Sequence, residues 1–376
     1  MSAGVRHLYV HLPFCAHRCG YCDFVTVVGR SGQHAAYVDG LLAELELHRE
    51  LLAPQLESVF LGGGTPTFTE PRELGRLLAA LPAAVEVTVE ANPETVTPSL
   101  ASLLSEAGVT RVSLGAQSFQ AGLLETLERR AGPDDVRRAF YHLRDAGFDN
   151  MSLDLIYGIP GQSPAALEAD LSEALALGPE HLSCYELEAK AGTRFTHAHG
   201  AELARQADAM EWYYERVVER LTAAGYRWYE TANFCRAPHA ADDRDLRSRH
   251  NLAYWRGRDY LGLGIGAVST VAGVRWRTTP RLRAYLRALS EGREPPREVE
   301  PLSLDTRARE RVLLGLRLDE PLDLASIEIA VDRASLSRLE QLGLVHVRRP
   351  APASEQVTLT ARGRLLGGGV TAELLA

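Results

Sequence analysis

The chain is almost without lysine: Lys190 is the only one among 41 basic residues, and the others are arginines. Chemistry that needs a lysine amine is therefore confined to one position. No apolar run approaches the roughly 18 residues of a membrane helix, and the N-terminus lacks the apolar core of a signal peptide. Acidic residues outnumber basic ones by 49 to 41, a net charge of −8, which argues against nucleic acid as a partner. We expect a cytoplasmic protein.

Cysteine is also scarce, and five in 376 residues are too few for a disulfide scaffold. Three of them, Cys15, Cys19 and Cys22, fall within eight positions. Such thiolates can each bind one iron of a [4Fe–4S] cluster and leave the fourth iron without a protein ligand. A structural zinc site would need a fourth ligand, for which His11 or His17 could serve. Both interpretations follow from the spacing.

Short apolar runs alternate with amphipathic helical stretches as far as about residue 190, which predicts βα units around a parallel sheet. The six runs are residues 7–12, 59–61, 85–89, 111–114, 152–156 and 181–185. The stretches between them include two predicted helices, Tyr37–Leu52 and Ala165–Leu177. Six such units form a partial (β/α)6 barrel, and a doubly wound sheet satisfies the same rhythm.

The rhythm changes after about residue 191. The pattern predicts a helix over 204–224, a strand at 226–229, a polar loop over 236–249 and a glycine-rich, non-helical segment at 261–266. From about residue 302 two helices with a short one between them precede two strands, which is typical of a winged helix. Its arginines alternate with acids, so a lid or docking module is favoured over DNA binding. We expect three units: 1–200 (barrel), 201–300 (extension) and 301–376 (α+β, winged-helix-like).

Glycine or polar residues stand where four of the predicted strands end. These segments are Gly62-Gly63-Gly64-Thr65-Pro66, Glu90-Ala91-Asn92-Pro93, Gly115-Ala116-Gln117-Ser118 and Asp154. Ligands of parallel α/β folds bind at the carboxyl ends of strands, so the four segments predict one shared site. The glycines lack the Gly-Lys-Ser/Thr ending of a phosphate-binding loop, which excludes a nucleoside triphosphate site of that type.

The Cys-x3-Cys-x2-Cys loop followed by Gly-Gly-Gly-Thr-Pro resembles the radical S-adenosylmethionine (SAM) enzymes. More narrowly, residues 9–15, 90–94, 115–118 and 154–162 resemble the oxygen-independent coproporphyrinogen oxidase-like family. The resemblance implies that Cys15, Cys19 and Cys22 ligate a [4Fe–4S] cluster whose open iron SAM chelates. It also implies a SAM site composed of Tyr9, Tyr21, Gly63, Gly64, Thr65, Glu90, Gln117, Arg129 and Asp154.

Two branches of this family differ near the third cysteine. The decarboxylase has a fourth cysteine two positions later, where this chain has Phe24. The segment from His250 to Trp255 resembles the His-Asn-x-x-Tyr-Trp motif of the haem chaperones in the family. That resemblance implies haem as cargo, acceptor haemoproteins (membrane-bound ones among them) as partners, and haem contact at His250, Asn251, Tyr254 and Trp255. It also implies a peripheral location at the inner face of the membrane when the acceptor is membrane-bound. His250 could be an axial ligand, and the alternative for these residues is a packing role.

The sequence leaves alternatives for the function and for the oligomeric state. The alternative function is that of an oxygen-independent coproporphyrinogen III oxidase, and no residue is assigned a catalytic role. The sequence favours neither a monomer nor a homodimer. Ala131 and Val268 replace histidines that are common in the family, so no porphyrin contact is assigned to them. Lys190 is expected at the surface and Cys184 in the core, whereas Cys235 is expected as a surface thiol, with haem ligation as its alternative.

Overall fold

The structure is a computed structural model that describes residues 4–190, 193–238, 243–351 and 354–376. Seventeen strands lie in these ranges. They are β1 (His7–Leu12), β2 (Phe14–Cys15), β3 (Val27–Val28), β4 (Leu56–Gly63), β5 (Ala84–Ala91), β6 (Arg111–Gln117), β7 (Met151–Tyr157), β8 (His181–Glu186), β9 (Tyr226–Trp228), β10 (Asn233–Arg236), β11 (Leu261–Leu263), β12 (Val268–Val271), β13 (Val274–Thr278), β14 (Arg297–Pro301), β15 (Leu322–Asp323), β16 (Val345–Ala351) and β17 (Ser354–Leu359).

Fourteen α-helices occur in the same part of the chain. They are α1 (His34–Leu47), α2 (Pro71–Ala80), α3 (Pro98–Glu106), α4 (Ala121–Thr126), α5 (Pro133–Asp145), α6 (Pro164–Leu177), α7 (Arg194–Gln206), α8 (Met210–Ala223), α9 (Arg249–Trp255), α10 (Leu282–Ser290), α11 (Leu304–Gly315), α12 (Arg333–Gln341), α13 (Ala361–Leu365) and α14 (Gly367–Leu374).

Nine strands form the main sheet, in the order β11-β1-β4-β5-β6-β7-β8-β10-β9. The strands from β11 to β8 are parallel, and β10 and β9 complete the edge in antiparallel pairs. From β1 to β8 the order rises in one direction, without the reversal that defines a doubly wound sheet. The six predicted runs all lie in these strands. The partial barrel predicted from the sequence is therefore confirmed, and the doubly wound alternative is wrong.

The strands of the barrel have two chemically different faces because successive side chains point to opposite sides. Leu8 and Val10 of β1 belong to one large apolar core that also takes in α1 through Val38 and Leu41. The alternate residues are polar and bond to one another across strands, as His7 Nδ1 does to Ser58 Oγ at 2.9 Å. The face of the sheet opposite the apolar core thus carries buried polar side chains, which can position a ligand.

Capping residues fix where several barrel helices begin and end. Thr97 and Ser163 accept N–H bonds at the starts of α3 and α6, and α6 ends at Gly178 in the left-handed conformation, with φ 67°. These are the residue types that helix termini favour. The α6 helix therefore nearly coincides with its prediction, whereas α1 ends at Leu47, before the predicted Leu52.

Three expectations for the second half need correction or sharpening. The helix predicted over 204–224 is two helices, α7 and α8, separated by a 3-10 turn at Ala207–Ala209. The glycine-rich segment is indeed not helical, and its first residues form β11, which pairs with β1 in the main sheet. Of the predicted polar loop, residues 239–242 lie outside the described ranges.

The C-terminal residues have an apolar core of their own, which runs from Ala308 to Leu374. The predicted order of helix, short helix, helix and two strands is present. It consists of α11, two 3-10 turns at Leu324–Ser326 and Glu328–Ala330, α12, β16 and β17, and β15 adds a third strand beside β17. Another three-stranded sheet, β12-β13-β14, lies between the main sheet and this region in sequence.

Among the helices of the described residues, none is both long enough and apolar enough to cross a bilayer.

Candidate functional site

The three clustered cysteines lie in the loop that leaves the carboxyl end of β1. Cys15 is in β2 and faces Val28 of β3, so this small parallel pair closes the loop. The Cys22 N–H donates to the Cys19 carbonyl at 3.2 Å and forms a turn between them. Cys15 is buried, Cys19 and Cys22 are half-buried, and all three are free thiols. The loop thus presents its sulfurs at the end of the barrel where ligands of parallel sheets bind.

Two hydrogen-bond donors, one just after β4 and one in the loop after α4, point at these sulfurs. Thr65 Oγ1 lies 3.5 Å from Cys15 Sγ, and Arg129 Nη1 lies 3.7 Å from Cys19 Sγ. Burial raises the pKa of the Cys15 thiol, and the Thr65 hydrogen bond opposes that effect. A thiolate held here needs positive charge beside it, which the arginine supplies in part and bound iron would complete.

Within the described residues, no three His, Cys, Asp or Glu side chains are grouped closely enough to hold one metal ion. A [4Fe–4S] cluster makes a different demand because each thiolate binds its own iron. The soft sulfur donors of this loop fit such a cluster.

Arg129 connects the cysteine loop to two strand ends. Its Nη2 donates to Asn92 Oδ1 at 3.0 Å and to the Gly115 carbonyl at 2.8 Å. Asn92 in turn donates to Thr65 Oγ1 at 2.9 Å. The Arg129 Nε is buried and has no hydrogen-bond partner among the described residues. A buried donor without a partner is costly, and the carboxylate of SAM is the kind of acceptor that would satisfy it.

The glycines after β4 are required by close packing. Gly63 has φ +112°, and a Cβ at this residue would lie 2.4 Å from His11 Nδ1. A Cβ on Gly64 would lie 2.5 Å from the Pro13 carbonyl oxygen. The strand end can therefore contact the cysteine loop only because these positions lack side chains.

Two carboxyl groups at the predicted SAM site lie inside the barrel. Glu90 Oε2 accepts the Gly63 N–H at 3.1 Å, and Asp154 accepts the Ser113 hydroxyl at 3.0 Å. Burial, helped by the charge of Asp154, raises the pKa of Glu90 to about 7. Burial also raises the pKa of Asp154. Both groups can accept hydroxyl donors such as those of a ribose.

Tyr9, Tyr21 and Gln117 are three further residues predicted to bind SAM. Tyr9 in β1 bonds through its hydroxyl to His11 Nδ1 at 3.0 Å, and burial raises the pKa of Tyr21, which lies beside Arg129. Gln117 has φ 64°, next to a register shift between β6 and β7. Of the nine predicted SAM residues, Tyr9 and Asp154 thus lie within β1 and β7, and the others lie at strand ends or in the segments that follow them.

His250 occupies the start of α9, far along the chain from the cysteines. It is 1% exposed, and its Nδ1 lies 2.9 Å from Ser58 Oγ while its Nε2 lies 3.1 Å from Tyr254 Oη. Burial lowers its pKa to about 3, with His7 adding to the effect. The imidazole is therefore neutral at pH 7, and both nitrogens are engaged. Ligation of haem iron by His250 would require the ring to leave one of these partners.

The remaining residues of the motif face different surroundings. The Asn251 N–H bonds to the Ser248 hydroxyl that caps α9, at 3.3 Å. Trp255 packs against the core that includes Leu252, and the Arg317 guanidinium lies 4.4 Å above its ring. Tyr254 instead lines a cavity together with Tyr9. Tyr254 and His250, whose ring centroid lies 6.3 Å from that of Tyr9, therefore join the motif to the predicted SAM site.

Lys190, Cys184 and Cys235 are the residues for which the sequence predicted a surface or core location outside the site. Lys190 is exposed and lies 3.6 Å from Asp23, as expected for a surface lysine. Cys184 is buried in β8, as predicted. The surface location predicted for Cys235 is wrong: it is 2% exposed in β10, because it packs in an apolar cluster with Tyr229, Leu246, Leu252 and Leu318.

The fold and this site define a class of protein. Residues 9–174 match the Radical SAM superfamily. A solved structure described as "Coproporphyrinogen III oxidase (HemN) from Escherichia coli is a Radical SAM enzyme" superposes with a TM-score of 0.75 over 99% of this chain and 90% of that one, at 23% sequence identity. The chain has the radical SAM fold, and that superfamily implies a [4Fe–4S] cluster and SAM.

Similar proteins identify a particular family within this superfamily. "Heme chaperone HemW" of Mycobacterium tuberculosis is 36% identical over 98% of this chain and 94% of its own. The Bacillus subtilis protein of the same name is 32% identical over 97% and 98% of the two chains, and that of Escherichia coli 35% identical over 78% of each. This chain belongs to the HemW family.

Two residues that organise the site are not among those predicted from the sequence. Asn92 joins Thr65 to Arg129, and its place in the Glu90–Pro93 strand end was the available signal. Glu86 is buried and accepts the N–H groups of Arg249 and His250 at 3.0 and 3.4 Å, which holds α9 against the barrel. No local pattern marks Glu86, because its partners are more than 160 positions away.

Proposed function

We propose that this protein binds haem and delivers it to acceptor haemoproteins, membrane-bound ones among them, while it carries a [4Fe–4S] cluster and SAM. The observation that carries the proposal is the similarity, over nearly the whole chain, to relatives named heme chaperone HemW. Phe24 supports the same assignment, because it occupies the position at which the decarboxylase branch has its fourth cysteine.

Cys15, Cys19 and Cys22 would hold the cluster, which when bound offers SAM one iron without a cysteine ligand. Arg129 would pair with the SAM carboxylate through its unsatisfied Nε. Glu90 would accept hydroxyls of the ribose, and the Gly63–Thr65 strand end would accommodate the methionine part. Tyr9, Tyr21, Gln117 and Asp154 would enclose the cofactor.

The haem would contact the region of His250, Asn251, Tyr254 and Trp255. Hemin titration of the wild type and His250→Ala, followed by the Soret band, tests the role of the histidine. A changed Soret maximum in the variant would support ligation. Unchanged binding would leave the ring with the positioning role that its bonds to Ser58 and Tyr254 indicate.

The function itself is tested by anaerobic reconstitution followed by two assays on the same preparation. We expect transfer of haem to an apo-haemoprotein and no decarboxylation of coproporphyrinogen III under reducing conditions with SAM. Metal analysis accompanies the assays, since zinc without iron or sulfide would contradict the cluster assignment.

The alternative function is that of an oxygen-independent coproporphyrinogen III oxidase. The observation in its favour is the fold, which matches the Escherichia coli enzyme along almost the whole chain. Coproporphyrinogen turnover without haem transfer would establish this alternative and overturn the chaperone proposal.

A further inference from the structure

A cavity of about 270 Å³ opens beside the cysteine loop, between β1 and the hairpin of β12 and β13. We name it the tyrosine cavity. Its lining residues are Tyr9, His11, Asp23, Phe24, Val25, Tyr254, Tyr260, Gly266, Ala267, Val268 and Arg277. The cavity is therefore lined both by Tyr9, from the predicted SAM site, and by Tyr254, from the predicted haem motif.

The walls of the tyrosine cavity are aromatic and fixed in place. The rings of Tyr254 and Tyr260 meet edge to face, with centroids 4.4 Å apart. Hydrogen bonds hold the Tyr254 hydroxyl to His250 and the Tyr9 hydroxyl to His11. Aromatic walls of this kind bind the face or edge of a flat conjugated ring.

Phe24 lines this cavity and is 64% exposed. A phenylalanine that the fold leaves in water gains free energy when a ligand covers it. The side chain cannot bind iron or transfer a proton. Its chemistry at this place is therefore contact with an apolar surface.

Arg277 is the cationic residue of the lining. It is exposed on β13, where its backbone pairs with Val268 and Glu298 of the neighbouring strands, and its guanidinium makes no hydrogen bond or ion pair with any residue in the described ranges. Its neighbour in the strand, Arg275, is by contrast held by both carboxylate oxygens of Glu310. The one acid of the lining, Asp23, lies beside Lys190. Arg277 is thus free to pair with a carboxylate brought by a ligand.

We propose that the tyrosine cavity takes one edge of haem, with Phe24 against the macrocycle and Arg277 paired with a propionate. The proposal rests on the haem-binding function proposed above and adds Phe24 and Arg277 to the contacts. A cavity of this volume encloses only part of a tetrapyrrole, which suits a cargo that must be released. It also places the haem next to Tyr9, on the cluster side of the barrel.

The test is titration of the full-length protein with hemin and with hemin dimethyl ester, whose propionates carry no charge. Arg277→Gln should raise the Kd for hemin by roughly tenfold, as expected for loss of a charge-assisted pair. The same variant should bind the ester as the wild type does. Arg277→Lys, which retains the charge, should show a smaller loss. Phe24→Ala should weaken both ligands and Phe24→Tyr neither.

Arg283→Gln is the matched control, because Arg283 is also exposed and its guanidinium makes no hydrogen bond or ion pair with a described residue. Equal hemin affinity of wild type and Arg277→Gln would refute the inference and leave the haem-binding function intact. An equal loss for hemin and its ester would refute the propionate pairing. Absence of haem binding in the wild type would overturn the function and the inference together.

Discussion

Single residues carry the chemistry that distinguishes this chain from a plain α/β barrel. Cys19 is half-buried and close to Arg129, whereas Cys184 is enclosed in β8. The two thiols therefore differ in their access to a cofactor, although both belong to the same small set of five.

Cys19→Ser should abolish assembly of the cluster. One of the three thiolate ligands is lost, and a serine oxygen is a poor substitute for soft sulfur. Iron and sulfide analysis after anaerobic reconstitution, with the visible absorption spectrum, measures the effect. Cys184→Ala should retain the iron and sulfide of the wild type. Full cluster content in Cys19→Ser would show that this residue is not a ligand.

Glu44 of α1 illustrates a buried residue with a measurable role in stability. Its Oε2 accepts the Gly264 N–H and the Tyr285 hydroxyl, each at 2.7 Å. Burial raises its pKa to about 7, and these hydrogen bonds only partly oppose that effect. Glu294 and Arg297 act on it with opposite signs. The folded protein therefore holds the proton up to a higher pH than the unfolded chain does.

A folded pKa above the unfolded value means that the contribution of Glu44 is complete below pH 4.5 and is lost as the pH rises through about 7. The difference corresponds to on the order of 3 kcal/mol. We expect the free energy of unfolding of the wild type to fall relative to that of Glu44→Gln over this range. Urea denaturation of both proteins at several pH values measures it. Parallel curves would mean that the carboxyl does not titrate there.

At the scale of elements, the backbone conformation at the end of β4 allows close packing at the proposed cofactor site. Gly63 adopts φ +112° directly against the His11 ring, so the strand can turn toward the cysteine loop. Gly75, in α2, has ordinary helical surroundings, and a Cβ there would lie 3.8 Å from Leu103 Cδ1.

Gly63→Ala should destabilise the fold by at least about 2 kcal/mol, because the new Cβ combines an unfavourable φ with a clash. It should also weaken SAM binding. Gly75→Ala should be neutral or stabilise by up to about 1 kcal/mol, since alanine is the better helix former. Urea denaturation and SAM titration of the reconstituted proteins report both effects. Wild-type affinity and stability in Gly63→Ala would contradict the close packing.

At the scale of the whole molecule, arginines fasten the C-terminal region to the barrel. Arg317 Nη2 lies 2.7 Å from Glu230 Oε1, and the Glu230 side chain is fully buried. The Arg227 guanidinium contacts both carboxylate oxygens of Asp319, at 2.7 and 3.0 Å. The Arg364 Nη1 donates to the Trp228 carbonyl at 2.6 Å. Charged groups thus connect two apolar cores.

Arg317→Met should lower the free energy of unfolding by about 2 kcal/mol, because Glu230 is left buried without its cation. The value is below that of a fully buried pair because Arg317 is 38% exposed. Arg338→Met removes an exposed pair with Glu373 and should cost less than about 1 kcal/mol. Urea denaturation measures the free energy of unfolding of both variants. Limited proteolysis should cleave Arg317→Met near residue 320 faster than it cleaves Arg338→Met. Equal stability of the two variants would argue against this fastening.

Much of the barrel could be predicted from the sequence because its signals are local. Apolar runs such as residues 7–12 and 111–114 are readable within a few positions, and the glycine and acid segments stand directly after them. The break between α7 and α8 at residues 207–209 could not be predicted in the same way. Helix-forming residues continue through it, and packing decides where one helix ends and the next begins. Bonds such as Ser58 to His250, 192 positions apart, leave no local trace.

The sequence by itself determined the class of this protein: three thiols at fixed spacing, glycines at a strand end and a phenylalanine in place of a fourth cysteine. These features can be recognised from the sequence because the residues of each one lie within a few positions of one another. Only the tertiary structure divided the His250–Trp255 motif, by engaging both nitrogens of His250, packing Trp255 under Arg317 and exposing Tyr254 to a cavity shared with Phe24 and Arg277. Which face of a seven-residue helix meets which strand depends on contacts from distant parts of the chain, and these form only when the barrel closes around them.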